Sequence, residues 1–332
     1  MTRNGWGLIG TGRIADERVL PAINAYAGNR LVGVVSREQS RADAFARKFG
    51  AQHAYTSFED LLRNPDVTVV AIHTPNAQHA EQAIAAARAG KHVFCDKPMA
   101  TSIEDAERMI EECDKAGVAL AVNFHCRFMP SFIDTKAVID SGEIGEVQMV
   151  QIEASPGAKG GSRSNTWRVD AGLAGLGTTM SIGLHIYDIL RYLLSSEIAE
   201  VSAFFDTPRG VMEETNLSMF RFENGVMAQV SVHETTPYPH NDFVIYGTKG
   251  RIIGRGLTRS RAGGEMQVIG ADGTTRTKEY PAMNAHEACV VDFSKALLEG
   301  RAPSASGIDG LRSVQLTEAM ARSAWDGGHV RL

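Results

Sequence analysis

Gly5-Trp6-Gly7-Leu8-Ile9-Gly10-Thr11-Gly12-Arg13-Ile14-Ala15 joins an apolar run, a glycine turn and a helix start without interruption. Residues 6–9 read as a buried strand broken only by Gly7. Gly10-Thr11-Gly12 forces a tight turn, and a helical pattern begins at Arg13. The spacing is G-x-G-x-x-A at a strand-to-helix junction. Gly10 permits the sharp turn, Gly12 lets a pyrophosphate approach the backbone, and Ala15 lets the helix pack close to the strand. The helix start offers unpaired N–H groups and a partial positive charge to phosphates. The stretch therefore assigns Gly10, Thr11, Gly12, Arg13 and Ile14 to a bound dinucleotide.

Outward from this stretch, apolar runs alternate with helical patterns. Residues 6–9, 31–35, 68–72, 92–95 and 118–123 read as strands; 14–26, 40–49, 78–89 and 103–116 read as helices. The strands are short and continuously apolar, as expected when helices cover both faces of a sheet. Gly90 and Gly117 stop helices, and Thr101-Ser102 with Asp105 starts one. The expectation is an α/β doubly wound parallel sheet over residues 1–123. Beyond it, strands at 147–153, 201–205, 217–223, 225–233, 242–246 and 266–269 follow one another, with Asn224-Gly225 as a hairpin signal. With helices at 130–140, 287–298 and 310–323, residues 124–332 read as an α+β domain with an open, mainly antiparallel sheet. A chain of 332 residues is long for one core, which agrees with two domains.

Composition narrows the function. At 43% hydrophobic and 22% charged the chain is an ordinary folded protein. A net charge of −5 argues against nucleic-acid binding. No apolar run reaches the roughly 20 residues of a membrane helix, and the N-terminus carries no secretory pattern. The expectation is a cytoplasmic protein with neither membrane nor nucleic-acid partner. Cys95, Cys113, Cys126 and Cys289 form no C-x-x-C pair and read as free, mostly buried thiols.

Candidate residues lie where strands end. Ser36, about twenty residues past the glycines, stands where an acidic residue would hold the ribose hydroxyls of NAD. With Arg37 and Arg41 following, the site suits a 2′-phosphate, so NADP(H) is expected over NAD(H). Thr74-Pro75-Asn76 ends another strand; His79 in the same region reads equally as a ligand-facing or a structural histidine. Asp96-Lys97-Pro98 follows the next strand, with Pro98 keeping Lys97 out of helical geometry. A partly desolvated lysine can exchange protons near neutrality. The glycine-rich 155–177, with Trp167-Arg168, reads as an irregular active-site loop. In the amphipathic helix that follows, His185 and Asp188 share a side, and a carboxylate beside an imidazole can set its basicity. His-x-x-Asp lacks third and fourth ligands at useful spacing, so no metal is expected.

Taken together, Gly10-Thr11-Gly12-Arg13-Ile14-Ala15, Thr74-Pro75-Asn76, Gly90-Lys91-His92-Val93, Asp96-Lys97-Pro98, Trp167-Arg168, Gly183-Leu184-His185 with Asp188, and Gly247-Thr248-Lys249-Gly250 resemble the Gfo/Idh/MocA oxidoreductases nearly end to end. The resemblance implies a Rossmann domain, a C-terminal sheet domain that builds a homodimer or homotetramer, and a sugar- or polyol-like substrate. Lys97 matches the family lysine of E-K-P, with Asp96 in place of Glu. His185 matches the acid/base histidine. The aspartate often found four residues before it is Ser181 here. Thr74, Asn76, His79, Asp96, Lys97, Asn123, Trp167 and Arg168 are thereby expected at the cofactor. Arg127, Arg168, Ser181, Tyr187 and Asp188 are expected around the substrate. The expected reaction is hydride transfer at a secondary alcohol or ketone, with Lys97 and His185 as catalytic residues. Glycoside cleavage or elimination through transient oxidation, and cofactor sensing without chemistry, are the alternatives.

Overall fold

In the computed structural model, which describes residues 3–157, 166–259 and 263–332, the glycine stretch opens a parallel sheet. Its strands are β1 (Asn4–Ile9), β2 (Asn29–Val35), β3 (His53–Tyr55), β4 (Val69–Ile72), β5 (His92–Cys95) and β6 (Leu120–Val122). They lie in the order β3-β2-β1-β4-β5-β6. Every pairing is parallel. All residues of β1 and β4 are buried, which is why neither shows a polar face in its sequence. From β1 the chain winds outward to β2 and β3, then returns to β4 on the other side. The carboxyl edge between β1 and β4 is therefore the switch point where such sheets bind ligands.

Two details depart from expectation. β3 and the helix Phe58–Arg63 that follows it escaped the sequence reading, because three residues of strand leave no period to detect. The first helix also divides into a π-helical turn, Ala15–Val19, and an α-helix, Leu20–Ala25. Pro21 has no N–H to donate within this run, and the widened turn precedes it.

The chain forms two compact units, and the first takes in residues up to 124 together with His286–Val314. That late segment is flanked in sequence by both parts of the second unit but packs into the first core. The Trp6 ring meets Phe94 at 5.7 Å and Phe293 at 6.1 Å, both edge-on. Asn4 Nδ2 donates to Ser294 O at 3.0 Å, and Val122 N donates to Ala305 O at 3.0 Å. Gly310 lacks a side chain for good reason: a Cβ there would lie 2.7 Å from Met99 Sδ.

The second unit comprises 125–285 and Gln315–Leu332. Its strands are β7 (Val147–Ala154), β8 (Ile198–Phe205), β9 (Thr215–Phe222), β10 (Met227–His233), β11 (Phe243–Gly247), β12 (Gly250–Arg255), β13 (Gly264–Gly270), β14 (Thr275–Tyr280) and β15 (Val330–Arg331). They form one sheet in the order β14-β13-β12-β11-β7-β10-β9-β8-β15. Within this sheet, β7 and β10 alone pair in parallel among the described strands. Burial along β9 alternates, so one face is covered and one open. Phe220 on the covered face meets Tyr187 of helix Leu184–Leu194 at 5.5 Å. Phe243 stacks on Phe132 of helix Pro130–Asp140 at 5.6 Å. The open face leaves Phe204, Leu217, Met219 and Met227 exposed. β14 is almost wholly exposed and polar, which hid it from the sequence reading. Of the expected loop 155–177, residues 158–165 lie outside the described residues; Thr166–Val169 and Ala171–Ala174 form short helical turns. No described helix is long and apolar enough to cross a membrane.

If Phe293 completes the first core, Phe293→Ala should cost about 3–5 kcal/mol in urea unfolding of that unit. A loss below about 1 kcal/mol would remove the helix Ala285–Glu299 from that core.

Candidate active site

The glycine turn is built by a close approach. Gly10 has φ +100°, and a Cβ there would lie 2.4 Å from His73 O and 2.8 Å from Thr74 N. No side chain fits between the ends of β1 and β4. Gly12 differs, because a Cβ there would meet nothing within 4 Å. Its carbonyl accepts from Asp16 N at 3.0 Å as the helical turn begins. Thr11 Oγ1 donates to Ser36 Oγ at 3.0 Å. Arg41 reaches back from the helix Gln39–Phe49, donating from Nε to Thr11 Oγ1 at 2.9 Å and to Thr11 O at 3.2 Å. Gly10, Thr11, Gly12, Ser36 and Arg41 thus come together at one corner of the sheet, with Arg13 and Arg37 exposed nearby in sequence. Open space over Gly12 leaves room for the pyrophosphate of a dinucleotide at this corner.

Along the same edge, β4 and β5 present the next group. Thr74 Oγ1 donates to Gln82 Oε1 at 2.6 Å, and Asn76 is half-buried in the turn Asn76–Gln78. His79 ties two loops together. It is 1% exposed, with Nδ1 2.8 Å from Pro98 O and Nε2 2.9 Å from Thr74 O. Burial holds its pKa below the ordinary histidine value, against the opposing pull of Asp96 and the two carbonyls. Asp96 Oδ1 accepts Lys97 N at 3.0 Å and Asn123 Nδ2 at 3.3 Å, while Oδ2 lies 3.3 Å from His73 Nδ1. Burial pushes the Asp96 carboxyl up, but His73, Lys97 and His79 outweigh it and hold the group well below the usual carboxylate range. Lys97 is half-buried, and the Lys97–Pro98 bond is cis. Asn123, expected at the cofactor, is fully buried and committed to Asp96 and to His286 Nδ1 at 3.1 Å. It supports the edge from within. His286 had no sequence signal, because it arrives from the far end of the chain.

In the second unit, the helix Leu184–Leu194 follows a π-helical turn, Thr179–Gly183. Such turns recur at functional sites. Glu213, which sequence reasoning missed, anchors this turn. Fully buried, its carboxylate accepts Gly177 N at 2.8 Å and Thr179 N at 2.7 Å, two donors left over at a helix start. Asn216 Nδ2 donates to Thr179 Oγ1 at 2.9 Å and to Tyr187 Oη at 2.8 Å. Tyr187 folds back over Gly183, where a Cβ would lie 2.5 Å from its hydroxyl. Burial, reinforced by Glu213, pushes the Tyr187 hydroxyl well above its usual range. Tyr187 is therefore a fully buried strut of this turn.

Asp188 and Arg127 are likewise spent on each other. Arg127 Nε donates to Asp188 Oδ2 at 2.7 Å, and Nη2 donates to Oδ1 at 2.5 Å. Asp188 is fully buried and Arg127 is 8% exposed. This two-pronged pair fixes the Asp188 carboxylate against Arg127. His185 is half-buried, and its ring meets His125 edge-on at 4.5 Å. One donor atom each of His125, Cys126 and His185 lies within 4.8 Å of the others. Ser181 is half-buried in the π turn, and the Arg168 guanidinium lies 4.4 Å from the Trp167 ring centroid.

A six-stranded parallel sheet with a glycine-lined switch point defines a dinucleotide-fold protein. The comparisons agree. Residues 5–124 match the family described as "Oxidoreductase family, NAD-binding Rossmann fold", and residues 132–253 match its GFO/IDH/MocA C-terminal domain. The chain belongs to the Gfo/Idh/MocA oxidoreductase family. It is 34% identical to 1,5-anhydro-D-fructose reductase of Ensifer adhaerens over 98% of this chain and 97% of that protein. It is 28% identical to scyllo-inositol 2-dehydrogenase (NAD(+)) of Bacillus subtilis, over 98% of this chain and 95% of that one. The structure of aldose-aldose oxidoreductase from Caulobacter crescentus complexed with glycerol superposes with a TM-score of 0.90, covering 99% of this chain and 100% of that one at 28% identity.

Arg127→Ala removes both short bonds to a buried carboxylate, leaving Arg191 Nη1 at 3.9 Å, and should cost about 3–5 kcal/mol in urea unfolding. The double variant Arg127→Met/Asp188→Leu should recover most of that loss. A single-variant loss under about 1 kcal/mol would show that this pair does not hold the turn to the helix.

Proposed function

We propose that the chain transfers a hydride between NADP(H) and a secondary alcohol or ketone on a sugar or polyol ring. The observation that carries this reading is the placement of Lys97. It stands at the carboxyl edge of β5, two strands from the glycine turn on the same sheet, beside an ionised Asp96. Bound nicotinamide supplies or accepts the hydride. The chain must then manage the substrate oxygen, which loses a proton as its carbon is oxidised and gains one as it is reduced. His185 exchanges that proton, and the Lys97 ammonium donates a hydrogen bond to the same oxygen and lowers the cost of its charge. Thr74, Asn76, Trp167 and Arg168 complete the cofactor contacts in this reading, and Ser181 and Arg168 face the substrate.

Preference for NADP(H) rests on Ser36, Arg37 and Arg41. A carboxylate in place of Ser36 would repel a 2′-phosphate; a hydroxyl and two guanidinium groups attract it. NAD(H) remains a usable cofactor, since the ribose and pyrophosphate contacts are common to both. Similarity to the Ensifer reductase puts 1,5-anhydro-D-fructose first among ketones to assay. All four cysteines are free and buried, as suits a reducing cytoplasm. Across β8 and β9, Phe204 stands opposite Leu217, and with Met219 they make an exposed apolar face on which a second copy of the chain would assemble as a dimer or tetramer.

A panel of sugars, polyols and keto-sugars with both cofactors, in both directions, tests the reaction; net turnover of free cofactor is expected. On the substrate found, Lys97→Met and His185→Ala should each lower kcat by about a hundredfold or more. Near-parental turnover in both would remove them from the chemistry. Arg37→Ala should weaken NADPH binding by about tenfold and leave NADH binding nearly unchanged. Equal weakening of both would contradict the 2′-phosphate assignment.

A further inference from the structure

The buried Arg127–Asp188 pair does more than join two elements. Arg127 lies on the turn His125–Phe128, and Asp188 lies one helical turn past His185 on Leu184–Leu194. A guanidinium fork holding a buried carboxylate by two bonds fixes orientation as well as distance. That fixed geometry delivers His125 and Cys126, at 4% and 3% exposure, to the side of His185. The three donor atoms lie within 4.8 Å of one another. Tetrahedral zinc, with bonds of about 2.0–2.3 Å, holds its ligand atoms roughly 3.3–3.7 Å apart. The donors need close by little more than about 1 Å, which side-chain rotation supplies. Two imidazoles and a thiolate are a ligand set that borderline-soft cations prefer, and three ligands leave the fourth position open.

We propose that His125, Cys126 and His185 bind a divalent cation of the zinc class, and that binding takes His185 out of proton transfer. The cation takes one nitrogen lone pair from each imidazole and the Cys126 thiolate, whose proton goes to solvent; nothing is oxidised or reduced. The binding claim stands on the donor geometry alone, and the inhibition claim rests on the role given to His185 above.

Cobalt(II) and zinc chloride are the probes, added to the chelator-treated full-length protein. One cobalt should bind per chain with a thiolate-to-cobalt charge-transfer absorption that zinc displaces. That absorption should vanish in Cys126→Ala and Cys126→Ser and persist in Cys289→Ala. Zinc should inhibit the parental protein, and Cys126→Ala should raise the inhibitory concentration at least about tenfold. Turnover and melting of both Cys126 variants in chelator should match the parental protein, and His125→Gln repeats the test should either variant fold poorly. Absence of the charge-transfer band, its survival in Cys126→Ala, or zinc inhibition undiminished by that variant would overturn the site. A Cys126-dependent band with full turnover under saturating zinc would keep the site and overturn the proton role of His185.

Discussion

One missing side chain governs the first unit. The backbone leaving β1 passes so close to His73 and Thr74 that Gly10 has no room for a Cβ, and its φ of +100° suits glycine alone. That contact brings the carboxyl ends of β1 and β4 together and turns the chain back over the sheet. Thr11 then reaches Ser36, Arg41 reaches Thr11, and the helical turn starts with its N–H groups facing the edge. β5 follows β4 and sets Asp96 and Lys97 on the same edge. His79 ties the β4 loop to Pro98, and Asn123 holds Asp96 from below. The order of causes runs from a glycine to a sheet edge to a row of aligned polar groups.

The second unit orders the helix Leu184–Leu194 by different means. Glu213 terminates the free donors at the π turn, Asn216 binds Thr179 and the Tyr187 hydroxyl, and Arg127 grips Asp188. Each is a buried polar interaction, costly to leave half-made and therefore specific in geometry. A buried ion pair adds little net stability over an apolar packing of equal shape, but breaking one partner is expensive. Such groups place a side chain more than they stabilise a fold. His185 is the side chain so placed.

How much of this was legible depended on how local the cause was. The glycine turn, the cap at Ser102 and the continuous strands β1, β4 and β5 are written in neighbouring residues, so pattern alone found them. β3 was too short for a period, and β14, a polar exposed strand, has no apolar side to alternate. The placement of Phe293 against Trp6 joins opposite ends of the chain, so no window contains it. Distance in sequence also explains the hydrogen-bond partners left unseen. Tyr187, Asp188, Asn123 and His79 were the right polar types on the right elements, but their partners Asn216, Arg127, His286 and Pro98 come from other elements. Glu213 and the grouping of His125 and Cys126 with His185 went unseen for the same reason.

Gly12 separates the fold from its use, because a Cβ at that position meets no protein atom within 4 Å. The most direct measurement is therefore NADPH affinity in Gly12→Ala, read beside its unfolding midpoint. The account predicts stability within about 0.5 kcal/mol of the parental protein and cofactor affinity lower by about tenfold or more. Parental affinity in a stably folded Gly12→Ala would contradict it, because the phosphates would then lie elsewhere than over this turn.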